Sequence, residues 1–168
     1  LSGLAWTMQS HAWRLFGRAE RAAHRSLLYG LQGRAEALWL PTWTDDLEVV
    51  ETIGESAVTL TVAACGISRS LRQQAGRRHI RIELIDGTLF YRAIEASSEI
   101  ALANGETGER LRIDAALGRF VTPERVRLAC WMALVTLAGD TVELQHHADS
   151  EGLLDCAVTF SGIPAEEP

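Results

Sequence analysis

The sequence predicts a mainly β protein with one amphipathic helix, an α+β chain in which strands dominate. Three observations predict it. Apolar and polar residues alternate with period two across His79 to Ile94, at Val58, Leu60 and Val62, and at Leu154, Cys156, Val158 and Phe160. Turn pairs, Asp86-Gly87 and Asn104-Gly105, stand between such runs. Only one stretch, about Arg18 to Gln32, follows a clear helical period.

Taken in order, Leu4 to Phe16 is rich in large apolar residues: Trp6, Met8, Trp13, Leu15 and Phe16. Apolar parity changes between Met8 and Trp13, which predicts a strand with a bulge or break near Ser10 and His11. In the helix that follows, Ala19, Ala23, Leu27 and Leu31 recur every fourth residue, widened by Ala22 and Leu28. That stripe is expected to face inward, with Glu20, Arg21 and Arg25 outward and Gly33 as the stop. Leu38-Trp39-Leu40-Pro41-Thr42-Trp43 comes next, and proline confines it to an edge or a strand end. His79 to Ile94 is expected to be a hairpin with a two-residue Asp86-Gly87 turn, because glycine accepts the positive φ required. Leu111 and Ile113 begin a further strand. Val142 to Phe160 reads as a looser hairpin, and residues 165–168 as a frayed tail.

The segment 126–137 reads two ways. Thr122-Pro123-Glu124 resembles a helix start, Gly139 a stop, and Val126, Ala129, Cys130, Ala133, Leu134 and Leu137 a helical stripe. Against this, Leu128, Trp131, Met132 and Val135 make the segment apolar on every side, as in a central strand.

Composition narrows the function classes. At 168 residues the chain fits one domain, or one domain carrying a smaller insert, and an apolar content of 47% suffices for a core. No apolar run reaches the roughly 18 residues of a membrane span, so no membrane insertion is expected. Leu1 is not a start residue, and the sequence is expected to begin part-way into a longer product. All 16 basic residues are arginine, a usage that suits a GC-rich genome and also fixed ion pairs at protein interfaces. Two basic clusters stand out: Arg14, Arg18, Arg21 and Arg25, then Arg69, Arg72, Arg77, Arg78 and Arg81. Asp45, Asp46, Glu48, Glu51 and Glu55 oppose them. With a net charge of −6, a nucleic-acid partner is not expected, whereas complementary protein surfaces are.

Catalytic and metal signatures are sparse. Cys65, Cys130 and Cys156 sit in apolar settings and read as reduced, structural thiols. His146, His147 and Asp149, with Cys156, form the most suggestive cluster. Neighbouring residues on a strand point to opposite faces, however, and no paired-ligand spacing is present. No nucleophile elbow or phosphate-binding glycine loop appears, and Asp45-Asp46 reads as an acidic turn. No enzyme, cofactor or metal is expected.

Leu15-Phe16-Gly17-Arg18-Ala19-Glu20-Arg21, Leu27-Leu28-Tyr29, Gly33-Arg34 and Leu38-Trp39-Leu40-Pro41-Thr42-Trp43 resemble a family of phage distal tail (baseplate) structural proteins of Mu-like and lambda-like siphophages and prophages. The pattern continues through Arg77-Arg78-His79-Ile80, Asp86-Gly87-Thr88, Asp114 to Arg119, Asp140 to Leu144 and Val158-Thr159-Phe160, so it spans nearly the whole chain. The resemblance implies a tail-tube-like β-sandwich belt, residues 1–46 with 126–163, carrying an inserted small β domain at 47–125. In that arrangement 126–137 is a strand returning to the belt. The implied function is a ring-forming homo-oligomer, a hexamer by that resemblance, that joins tail tube to hub in the virion tail after assembly in the host bacterial cytoplasm. Arg21, Arg25, Trp39 and Trp43 are the interface residues it suggests. The alternative is a non-catalytic binding module that grips carbohydrate or a protein partner through loops of the small β domain.

Overall fold

The computed structural model describes residues 8–70, 78–147 and 152–163. Trp6, Arg72, Arg77, Asp149 and the tail 164–168 lie outside the described residues. The elements are β1 (Met8–Leu15), α1 (Gly17–Leu31), β2 (Leu38–Pro41), β3 (Thr59–Ala63), α2 (Ile67–Ser70), β4 (His79–Leu84), β5 (Leu89–Ala101), β6 (Thr107–Ile113), β7 (Val126–Leu137), β8 (Leu144–His146) and β9 (Leu154–Gly162). The protein is mainly β, its strand pairs are antiparallel, and α1 is the only helix longer than a single turn among the described residues. They fall into two compact units, one within Leu1–Trp39 and Leu134–Pro164, the other within Leu40–Ala133. These boundaries differ from 46/47 and 125/126. The reason is pairing: Val126 to Met132 ladder onto β4, and residues 42–47 hydrogen-bond to Trp131 and Ala129.

In the first unit, β1 runs beside β9 in unbroken register, from Met8 opposite Ser161 to Leu15 opposite Leu154. The expected bulge near Ser10 and His11 is absent, because Met8 belongs to the outer face, where it is 66% exposed. Leu15, Leu154, Cys156, Val158 and Phe160 form the buried inner face. The short strand β8 pairs with the start of β9, and Val135 to Leu137 with its end.

Helix α1 begins at Phe16, whose N–H donates to the Glu20 carboxylate at 2.7 Å, and ends at Gln32 in the left-handed region. Its inward positions are Gly17, Arg21, His24, Leu28 and Leu31, spaced alternately by four and three. His24 is buried and meets Trp13 edge-on, with ring centroids 5.1 Å apart. The expected inward stripe is therefore corrected: Ala19, Ala22, Ala23 and Leu27 are exposed, and Arg21 lies on the packed side. Burying alanine methyls removes little surface from water, so His24, Leu28 and Leu31 decide the orientation.

The second unit is a curled ladder in the order β7-β4-β5-β6-β3. A register shift between Ile94 and Ala96 lets the long strand β5 bend from its pairing with β4 to its pairing with β6. Residues 46–50 bridge the two outer strands: Asp46 and Leu47 N–H donate to Ala129 O, and Val50 N–H donates to Thr61 O. The enclosed core contains Leu47, Leu60, Val62, Ile80, Ile82, Leu84, Ile94, Leu111, Ile113, Val121 and Ala129.

Both hairpins of this unit use one loop design. Leu84 pairs with Thr88 around a three-residue loop, Ile85-Asp86-Gly87, and Leu102 pairs with Glu106 around Ala103-Asn104-Gly105. The β4–β5 loop is thus one residue longer than expected, with Gly87 at φ +81° in the left-handed position that closes a three-residue hairpin loop. The Asp86 and Asn104 side chains each accept from the N–H two residues on, at 2.9 and 3.0 Å. The stretch from Ala101 to Glu109 is accordingly a hairpin tip and the start of β6. Segment 126–137 is a strand. Its helix-like start is spent on a single 3-10 turn, Pro123–Arg125, before β7 begins.

Candidate interaction surface

On the outer side of the curled ladder, registered neighbours place Tyr91, Arg81 and Cys130 in one row and Leu89, Glu83 and Leu128 in the next. Alternation about Ile80, Ile82 and Leu84 sends Arg81 and Glu83 away from the core, yet they are only 5% and 9% exposed. Arg81 donates to Glu83 at 2.6 Å, and Arg127 reaches the other Glu83 oxygen at 2.7 Å. The two guanidiniums, Arg127 foremost, hold the Glu83 carboxyl below its usual range. Two cations therefore share one anion.

Trp43 lies over this pair, with the Arg81 guanidinium carbon 4.6 Å from its ring centroid. Trp43 is nonetheless 52% exposed, and Tyr91, the strand neighbour of Arg81, is 53% exposed. Its backbone sits at φ +60°, a region that bulky side chains avoid. Asp46 holds the loop in that conformation. Its carboxylate accepts from the Thr42 hydroxyl, from the Thr44 hydroxyl at 2.8 Å and from Trp131 N–H at 3.0 Å. Asp46, expected as part of a solvated acidic turn, is instead the staple that presents Trp43. Strain of about 1–3 kcal/mol persists only where surrounding structure imposes it.

The four residues expected at an interface are divided between the two units. Trp43 is on the surface just described, in the second unit, and Trp39 is half-buried in β2. Arg21 and Arg25 are on α1 in the first unit. Arg21 is not the outward residue expected: its Nε donates to Gly17 O at 2.9 Å, and Gly152 packs against its guanidinium. Arg25 is exposed.

Other polar groups resolve into structural roles. His147 Nε2 lies 2.9 Å from Asp155, which also takes a two-point contact from Arg14, while His146 is exposed. Among the described residues no group of three or more His, Cys, Asp or Glu side chains could hold a metal. Cys130 and Cys156 are buried, but Cys65 lies at the surface with its thiol partly buried against a carboxylate rather than in an apolar setting. Its thiol donates to Glu109 at 2.9 Å, and partial burial together with that carboxylate pushes it up to about 12. Glu109, 1% exposed, also accepts from the N–H groups of Cys65, Ile67 and Ser68. A signal for it existed: Glu109 shares strand parity with Leu111 and Ile113, so its carboxylate had to point inward. Arg81 and Glu83 carried no such signal, since what covers them, Trp43 on a loop and Arg127 on β7, comes from elsewhere in the chain.

No protein-family model matches the chain, and a search of curated proteins finds no match.

Proposed function

We propose that this chain is a non-catalytic structural subunit that works by protein–protein contact, in a homo-oligomeric ring of a phage tail tip between tail tube and hub. The tail-tip reading rests on the sequence resemblance. The contact reading rests on Trp43: a half-exposed tryptophan, held left-handed over a buried Arg–Glu pair, has the residue chemistry of an interface anchor. Tyr91 and Leu89 extend the apolar area, and Arg127 supplies a charged rim.

Trp43→Ala tests it. The substitution removes one cation–π contact to a desolvated guanidinium, worth about 2 kcal/mol, so the melting temperature should fall by less than about 10 °C while the chain stays folded. Oligomers in sedimentation velocity, and incorporation into tails when the gene is complemented in a phage or prophage, should both be lost. A wild-type chain that stays monomeric and is missing from purified tails would overturn the proposal.

A further inference from the structure

We infer that the arginine flank of α1 is a docking groove for carboxylates of a second copy of this chain, supplied by that copy's segment 45–55. The inference rests on the proposed assembly of copies and names one contact that builds it. Arg18, Arg21 and Arg25 follow one another at spacings of three and four, so they line one side of the helix. With Ala22 as floor they enclose a groove of about 300 Å³. Arg21 is fixed within it by its bond to Gly17 O and by Gly152, where an added Cβ would lie 2.8 Å from its Nη2. Arg18 and Arg25 are exposed, and among the described residues no carboxylate meets any of the three.

The matching charges stand in the other unit. Asp45, Glu48, Glu51 and Glu55 are exposed, and among the described residues none is in an ion pair. Only Asp46 of that run is engaged, in the Trp43 loop. Among the described residues, each copy thus presents a basic groove that meets no carboxylate on one unit and an acidic segment outside any ion pair on the other. Such unlike surfaces join head to tail. A polyphosphate is the weaker occupant, because a chain of net charge −6 repels it beyond the groove.

Complementary charge reversal tests this. One variant carries Arg18→Glu with Arg25→Glu, the other Glu51→Arg with Glu55→Arg, each checked for an unchanged melting temperature. In sedimentation velocity at low salt each alone should associate at least tenfold more weakly than wild type. An equimolar mixture should recover association, since each variant's groove then faces the other's opposite charge. Wild-type association should weaken as salt rises. If both variants assemble like wild type, or the mixture stays dissociated, this contact is wrong while the subunit reading stands. If wild type never associates and is missing from tails, the subunit reading falls and takes this contact with it. Arginine-dependent binding of a single-stranded oligonucleotide, without self-association, would replace the contact with a polyphosphate site.

Discussion

Gly87 shows how much one residue's backbone can decide. It sits at φ +81°, and a Cβ built there meets nothing within 4 Å. Any cost of substitution therefore comes from conformation rather than from a clash. Gly87→Val should destabilise by about 1 kcal/mol or more, because a β-branched residue resists the left-handed region. Urea denaturation measures it, and an unchanged midpoint would mean that the loop relaxes into another turn. Trp43 is the opposite case, a bulky residue kept left-handed by its neighbours. The Asp-Gly and Asn-Gly pairs were legible beforehand because their chemistry is local. The staple at Asp46 was not, since its third donor, Trp131 N–H, is 85 residues away.

At the scale of elements, β9 was legible because one face is buried and the other is wetter, and β4 because apolar and charged residues alternate along it, although Arg81 and Glu83 end up covered. β7 was ambiguous by local chemistry, because β4 and β9 supply the neighbours that make it a strand. The existence of α1 was legible, but its inward face was not. A four-residue repeat of alanines competed with a stripe centred on His24, which no hydrophobicity pattern would favour. The two stripes share Leu28 and Leu31 but disagree on Leu27, which is 43% exposed while Leu31 is 4% exposed. Leu31→Ala should cost about 2–5 kcal/mol, as for other buried leucines. Leu27→Ala should stay within about 0.5 kcal/mol or slightly above, the range of surface changes. Equal losses in thermal melts of the two variants would restore the repeat that the sequence suggested.

For the whole molecule, the titrating groups arrange acid destabilisation in two stages. Burial lowers the His24 pKa below its ordinary 6.5, so the unfolded chain takes up that proton first. Its contribution is fully present above about pH 6.5 and is lost as pH falls toward the lowered value. The carboxylates of Glu109, Glu83, Asp155 and Asp86 are depressed, the last to about 2 by Thr88 and Arg119. Their contributions are present above the ordinary carboxylate range and are lost only below it. Melting temperature should therefore decline between pH 7 and 5 in wild type but not in His24→Leu, while both decline below pH 4.5. A flat wild-type profile from pH 7 to 5 would show that His24 does not titrate with folding.

The bridge at residues 46–50 has a consequence in time. Its amides bond to Ala129 on one side and to Thr61 on the other, so it can seat only after strands distant in sequence have met. Loop-closure entropy then makes this seam a late event in folding. A segment that looks like a connecting loop would guard the interior last and open it first. In native-state deuterium exchange, the Leu47 and Val50 amides should therefore exchange at a lower opening free energy than the amides of β4, and a single free energy for both sets would show that seam and core open together.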